Sequence, residues 1–146
     1  MGKGYIYTCK KCGKEYRFLL DCGMFCFMED QLFDLENPIG GILANCHDEE
    51  EKSIVKRLIE SRKYHLVGGY GYKICKCNGC GQFDNKFTFE LFSREEKNSY
   101  ISKAICEKCN KELRILNDED LEKENIPGNC DKCGSTEFDI GFMNWD

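Results

Sequence analysis

A chain of 146 residues with a formal charge of −5 and 12 cysteines has room for one ordinary domain or two small ones, and its acidic balance argues against a non-specific grip on a phosphate backbone. Met1-Gly2-Lys3-Gly4-Tyr5 leads straight into a strand-like segment, without the basic stretch, apolar run and cleavage site of a secretory leader. No apolar stretch approaches the roughly 20 residues that span a bilayer. The expectation is a cytoplasmic protein with no membrane association, in which thiols stay reduced and paired cysteines signal metal or redox chemistry.

In chain order, Tyr5-Ile6-Tyr7-Thr8 and Tyr16-Arg17-Phe18-Leu19-Leu20 read as strands on either side of Cys9-Lys10-Lys11-Cys12. Glu29 to Glu36 reads as a short helical turn ending before Asn37-Pro38. Asp48 can cap a helix and Glu51 can complete its capping box, with Ile54, Val55, Leu58 and Ile59 forming one apolar stripe. That helix should stop near Lys63, before an extended His65-Leu66-Val67 and a break at Gly68-Gly69. The strand layout then recurs, with Tyr70 to Ile74 before Cys77-Asn78-Gly79-Cys80 and Lys86 to Phe92 after it. In the second of these runs Phe87, Phe89 and Leu91 share a buried face. Arg94 to Asn98 is the best linker candidate. Beyond it, Tyr100 to Ile105 and Glu112 to Leu116 bracket a third Cys-x-x-Cys at Cys106/Cys109, Asn117 to Asn125 reads as a solvated connector, and Glu137 to Phe142 follows a fourth at Cys130/Cys133. The charge is uneven: residues 1–98 carry 15 Lys/Arg and 15 Asp/Glu, whereas residues 99–146 carry 6 and 11.

Two thiolates separated by two residues can point at one tetrahedral metal when the chain turns so that backbone amides face the sulfurs. That turn needs a residue tolerant of positive φ just after the second cysteine. Gly13, Gly81, Asn110 and Gly134 supply it four times, and Gly and Asn enter that region most cheaply. The candidate metal ligands are therefore Cys9, Cys12, Cys77, Cys80, Cys106, Cys109, Cys130 and Cys133, holding two ions, zinc before iron. A thioredoxin-like redox pair normally occurs once, opening a helix, which four strand-flanked copies do not match. The 20 residues between Cys109 and Cys130 fall within the usual spacing of a four-cysteine zinc site, so sequential pairing is favoured, first knuckle with second and third with fourth. The alternative joins Cys77/Cys80 to Cys106/Cys109 across 25 residues and leaves the outer knuckles to each other.

Cys22, Cys26, Cys46 and Cys75 remain, and with His47 and His65 as spare ligands they form a conceivable third site. Small buried hydrophobes are the better account. A four-thiolate site is coordinatively closed, whereas catalytic zinc keeps one position open, and no catalytic residue stands out. Gly68-Gly69-Tyr70-Gly71 lacks the Lys-Ser/Thr and the helix of a phosphate loop. Lys10, Lys11 and Lys14, with Lys56, Arg57, Arg62 and Lys63, are the notable basic groups. Phe142 to Asp146 reads as an apolar tail that caps the second ribbon or docks onto a partner.

These knuckles and their flanking strands, at residues 5–20, 70–92 and 100–142, resemble the zinc-ribbon superfamily. Met1 to Tyr5 with Cys9-Lys10-Lys11-Cys12-Gly13 is similar to a group of small, uncharacterised bacterial tandem zinc-ribbon proteins, and Tyr7 to Tyr16 also resembles a rubredoxin knuckle. The resemblance implies a small, metal-stabilised, mainly β protein with one inserted helix and two zinc ribbons in tandem. Residues 1–93 would form a ribbon with a helical insertion at about 21–69, and residues 99–146 a second ribbon. It transfers ligands and no activity. The expected function is a non-catalytic, zinc-binding adaptor for a protein partner. The alternatives are a nucleic-acid-binding zinc ribbon and a rubredoxin-like iron electron carrier.

Overall fold

The computed structural model describes residues 2–23, 28–36 and 41–145. Its strands form three antiparallel three-stranded sheets. In the first, β1 (Gly2–Cys9) lies between β2 (Glu15–Leu20) and β9 (Phe138–Trp145). In the second, β4 (Gly71–Cys77) lies between β5 (Phe83–Thr88) and β8 (Leu113–Ile115). The third joins β3 (His65–Leu66), β6 (Glu90–Ser93) and β7 (Asn98–Ile101). The fold is small and mainly β, as expected, and among the described residues no helix is long and apolar enough to cross a membrane.

The inserted segment holds a single turn α1 (Glu29–Leu32), a 3₁₀ turn (Ile42–Asn45) and the main helix α2 (Glu49–Glu60). Asp48 caps α2 by accepting the Glu51 amide at 2.8 Å. Glu51 departs from the expected capping box: its side chain reaches past the cap to the His47 amide at 2.9 Å. The other carboxylate oxygen accepts the Tyr100 hydroxyl and the Lys103 amide, each at 2.8 Å, although Glu51 is fully buried. One carboxylate thus ties the helix to the chain on either side of Ile101. Val55, at the centre of the expected stripe, is fully buried against Leu32, Ile42, Phe87, Phe89 and Leu91, and Leu58 and Ile59 pack alongside. The helix ends three residues before Lys63, because Arg62 adopts a φ of 58°.

Three expectations about elements change. Arg94 to Asn98 is not a linker: residues 94–97 turn the β6–β7 hairpin, in which Ser93 faces Asn98. The Lys86 to Phe92 run keeps its buried face, but it divides at Phe89 between two sheets. There Phe89 exchanges hydrogen bonds with Ser102 rather than with a ladder neighbour. The supposed connector contains α3 (Asp118–Lys123), opened by a capping box between Asn117 and Asp120. An Asp in place of the usual Glu at that position concealed it.

Two devices join the first and second sheets. Asp21 and Tyr72 exchange backbone hydrogen bonds at 3.0 and 2.7 Å, and Gly71 permits that approach, since a Cβ there would lie 2.5 Å from the Asp21 carbonyl. The Asn85 amide, on β5, accepts from the Leu19 amide and donates to the Leu19 and Lys73 carbonyls. Between the sheets, Tyr7, Phe18, Ile74, Leu116 and Ile126 form a common core.

Candidate metal centres

Each knuckle is closed by the same two backbone hydrogen bonds. The amide of the first cysteine donates to the carbonyl five residues on, and the residue four positions on donates back to that cysteine's carbonyl. The first pair of atoms lies 2.8–2.9 Å apart and the second 2.7–2.9 Å in all four copies. The turn closes through Gly13, Gly81, Asn110 and Gly134, at φ of 78°, 75°, 63° and 75°. A Cβ at any of the three glycines would meet nothing within 4 Å, so backbone conformation rather than space selects the residue.

The eight cysteines meet as two tetrads, Cys9, Cys12, Cys130 and Cys133, and Cys77, Cys80, Cys106 and Cys109, with the four sulfurs of each within 4.8 Å of one another. This corrects the favoured pairing: the outer knuckles join each other and the inner knuckles join each other. The two sites are nested, not in tandem, and each takes one knuckle from either side of residues 94–98. The cause lies in the strands. β9 pairs with β1 along its whole length, from Gly2 opposite Trp145 to Cys9 opposite Phe138, which delivers Cys130 and Cys133 to the end of β1. β8 pairs instead with Cys75 to Cys77 and brings Cys106 and Cys109 to the end of β4. Gly2 and Gly4 are what let β9 in. A Cβ at Gly2 would lie 2.3 Å from the Trp145 ring, and one at Gly4 would lie 2.9 Å from Met143. Trp145 is fastened there by its indole N–H, which donates to the Lys3 carbonyl at 2.7 Å, so the apolar tail is the end of a strand.

The donor sets fit a tetrahedral ion. Metal–sulfur bonds of about 2.3 Å place tetrahedral sulfurs about 3.8 Å apart. The sulfurs of Cys9 and Cys133 are 3.4 Å apart, Cys12 and Cys130 3.5 Å, Cys77 and Cys109 3.2 Å, and Cys80 and Cys106 3.6 Å. Backbone amides face the sulfurs. The Cys12 amide is the main influence lowering the Cys9 thiol, and the Cys80 amide, followed by the Cys109 thiol, brings Cys77 down to about 6. At Cys130, burial raises the thiol, but the amides of Cys133 and Lys132 with the Tyr16 hydroxyl carry it down to about 6. Hydrogen bonding to Cys77 holds the Cys109 thiol up at about 11. Cys133 stands at about 12, where the Ser135 amide is outweighed by burial and the neighbouring thiols. Within each tetrad, hydrogen bonding thus pulls one thiol down and its neighbour up.

Tyr16 is a site residue that the sequence reading missed. Its hydroxyl donates to the Asp131 carboxylate at 2.5 Å, accepts the Asp131 amide at 3.0 Å and lies 3.7 Å from the Cys130 sulfur. Lys14 pairs with the same carboxylate. These contacts bind the first knuckle to the fourth. An aromatic four residues after Cys12 was the available signal, and it read equally well as core.

Among the described residues, Cys22, Cys46 and Cys75 stay outside the tetrads. Cys75 is fully buried and Cys46 half-buried, and burial raises their thiols to about 11 and 12, as expected of unreactive buried thiols. Cys22 departs from the expected free, reduced thiol: it is disulfide-bonded, and it packs against the core cluster that includes Val55 of α2. Cys26 lies outside the described residues. His47 lies 4.0 Å from Asp48 and His65 2.9 Å from Glu29, so among the described residues neither joins a cluster of ligands. No protein-family model, curated protein or solved structure matches the chain.

Proposed function

We propose that the protein is a zinc-stabilised, non-catalytic interaction module. The observation that carries this reading is the composition of both centres: four cysteine sulfurs surround each candidate ion position, which fills a tetrahedral ion's coordination and leaves no position for water or substrate. Zinc suits a thiolate tetrad and needs no redox partner. Iron suits the same geometry, so the metal is an experimental matter. Native mass spectrometry with elemental analysis should find two zinc ions per chain. A red, iron-loaded protein with a reversible one-electron wave would replace this reading with electron transfer.

The surface supports a protein partner over nucleic acid. Of the notable basic groups, Lys10 pairs with Asp139, Lys14 with Asp131, and Lys63 with Glu95 and Glu96. Large apolar side chains remain exposed instead, among them Ile101, Ile115, Ile140 and Phe142. Electrophoretic shift assays at low salt should show no salt-sensitive binding to DNA or RNA. Affinity capture from the native host should recover a protein, and recovery of nucleic acid alone would reverse the preference.

A further inference from the structure

β9 is an edge strand of eight residues with no strand paired to its outer side among the described residues. The opposite edge of the same sheet, β2, is covered by the Asn85 and Asp21–Tyr72 contacts. The Lys10 amide donates to the Glu137 carbonyl at 3.1 Å. Alternation along an antiparallel ladder then assigns the odd-numbered residues of β9 to hydrogen bonds with β1. It leaves the N–H and C=O groups of Phe138, Ile140, Phe142 and Asn144 directed at the free edge. Natural edges are usually blunted by Lys, Pro or a bulge. Phe-Asp-Ile-Gly-Phe-Met-Asn-Trp has none of these: its register with β1 is unbroken, and its single charge, Asp139, is matched by Lys10 at 3.8 Å. Phe142 is 80% exposed and Ile140 62%.

We infer that β9 is a self-association edge, through which two copies of this chain pair antiparallel about Gly141 and join their outer sheets into one of six strands. The strand is self-complementary. Only with Gly141 at the two-fold axis do all four outward residues pair, Phe138 opposite Asn144 of the second copy and Ile140 opposite Phe142 of the second copy. That register gathers the exposed Ile140 and Phe142 side chains of both copies on one face as cross-strand aliphatic–aromatic pairs. It also sets Asp139 opposite Met143, so no like charges meet. An isologous contact of this kind closes at two copies and does not propagate. The inference deepens the interaction-module reading by naming a partner, and it rests on that reading only in needing an exposed contact surface.

The test uses the full-length, metal-loaded protein. Sedimentation across a roughly hundredfold range of concentration should show a monomer–dimer equilibrium. Phe142→Lys should weaken association about tenfold or more. Phe142→Pro removes an N–H that the monomer's own ladder does not use, and it should do the same with both metals retained. In the native sequence the Ile140, Phe142 and Asn144 amides should gain hydrogen-exchange protection as concentration rises. A monomer throughout the range, or a dimer in which these amides stay unprotected, overturns the inference. A monomer that still captures a foreign protein refutes self-association alone and leaves the interaction-module reading standing.

Discussion

Gly13, Gly81, Gly134 and Asn110 occupy equivalent places in four turns, and their positive φ was legible from residue type alone. An L-residue with a Cβ forced into that region costs about 1–2 kcal/mol. Gly134→Ala should therefore lower the unfolding free energy of the loaded protein by about that amount, whereas Asn110→Gly should leave it nearly unchanged, both read from denaturant midpoints. The thiols carry a pH prediction. Cys77 and Cys130 are depressed to about 6 in the folded chain, below the usual thiol value of about 8.5. A depressed folded-state pKa contributes stability above the unfolded value and loses it as pH falls through the folded one. Metal binding needs every cysteine ligand deprotonated, so protons should compete with the ions and release them as pH falls. A chromophoric chelator reports this. Metal retention that does not change on acidification would contradict the thiolate assignment.

At the scale of elements, α2 was readable because its cap and apolar stripe are local signals. What its Glu51 does was not readable, because Tyr100 and Lys103 lie some fifty residues away in sequence. Removing the carboxylate leaves three donors without their buried acceptor, so Glu51→Ala should cost about 3 kcal/mol or more. The loss should fall on the helical insertion and the β6–β7 hairpin, with both tetrads still loaded. Thermal unfolding with a metal count checks both halves of that statement. The division of one strand at Phe89 has the same origin: alternation showed which face is buried, but not that the buried residues face two different neighbours.

At the scale of the whole molecule, the eight cysteines and their turns were legible, and their partnership was not. A spacing of 20 residues between knuckles pointed to sequential pairing, yet spacing describes only the loop. The contacts that decide partnership are the full-length β1–β9 ladder and the two glycines that admit Met143 and Trp145. Nesting predicts how damage spreads. Cys130→Ser should perturb β1, β2 and the chain's N-terminal end while sparing Cys106 to Leu116, as judged by amide chemical shifts. Gly2→Val should loosen the same outer sheet without touching the inner centre.

The pairing itself can be read directly by loading the protein with spin-active cadmium and correlating each ion with cysteine β-protons by NMR. One cadmium should couple to Cys9, Cys12, Cys130 and Cys133, and the other to Cys77, Cys80, Cys106 and Cys109. A cadmium coupled to both Cys9 and Cys77, or to both Cys106 and Cys130, would contradict the nested arrangement.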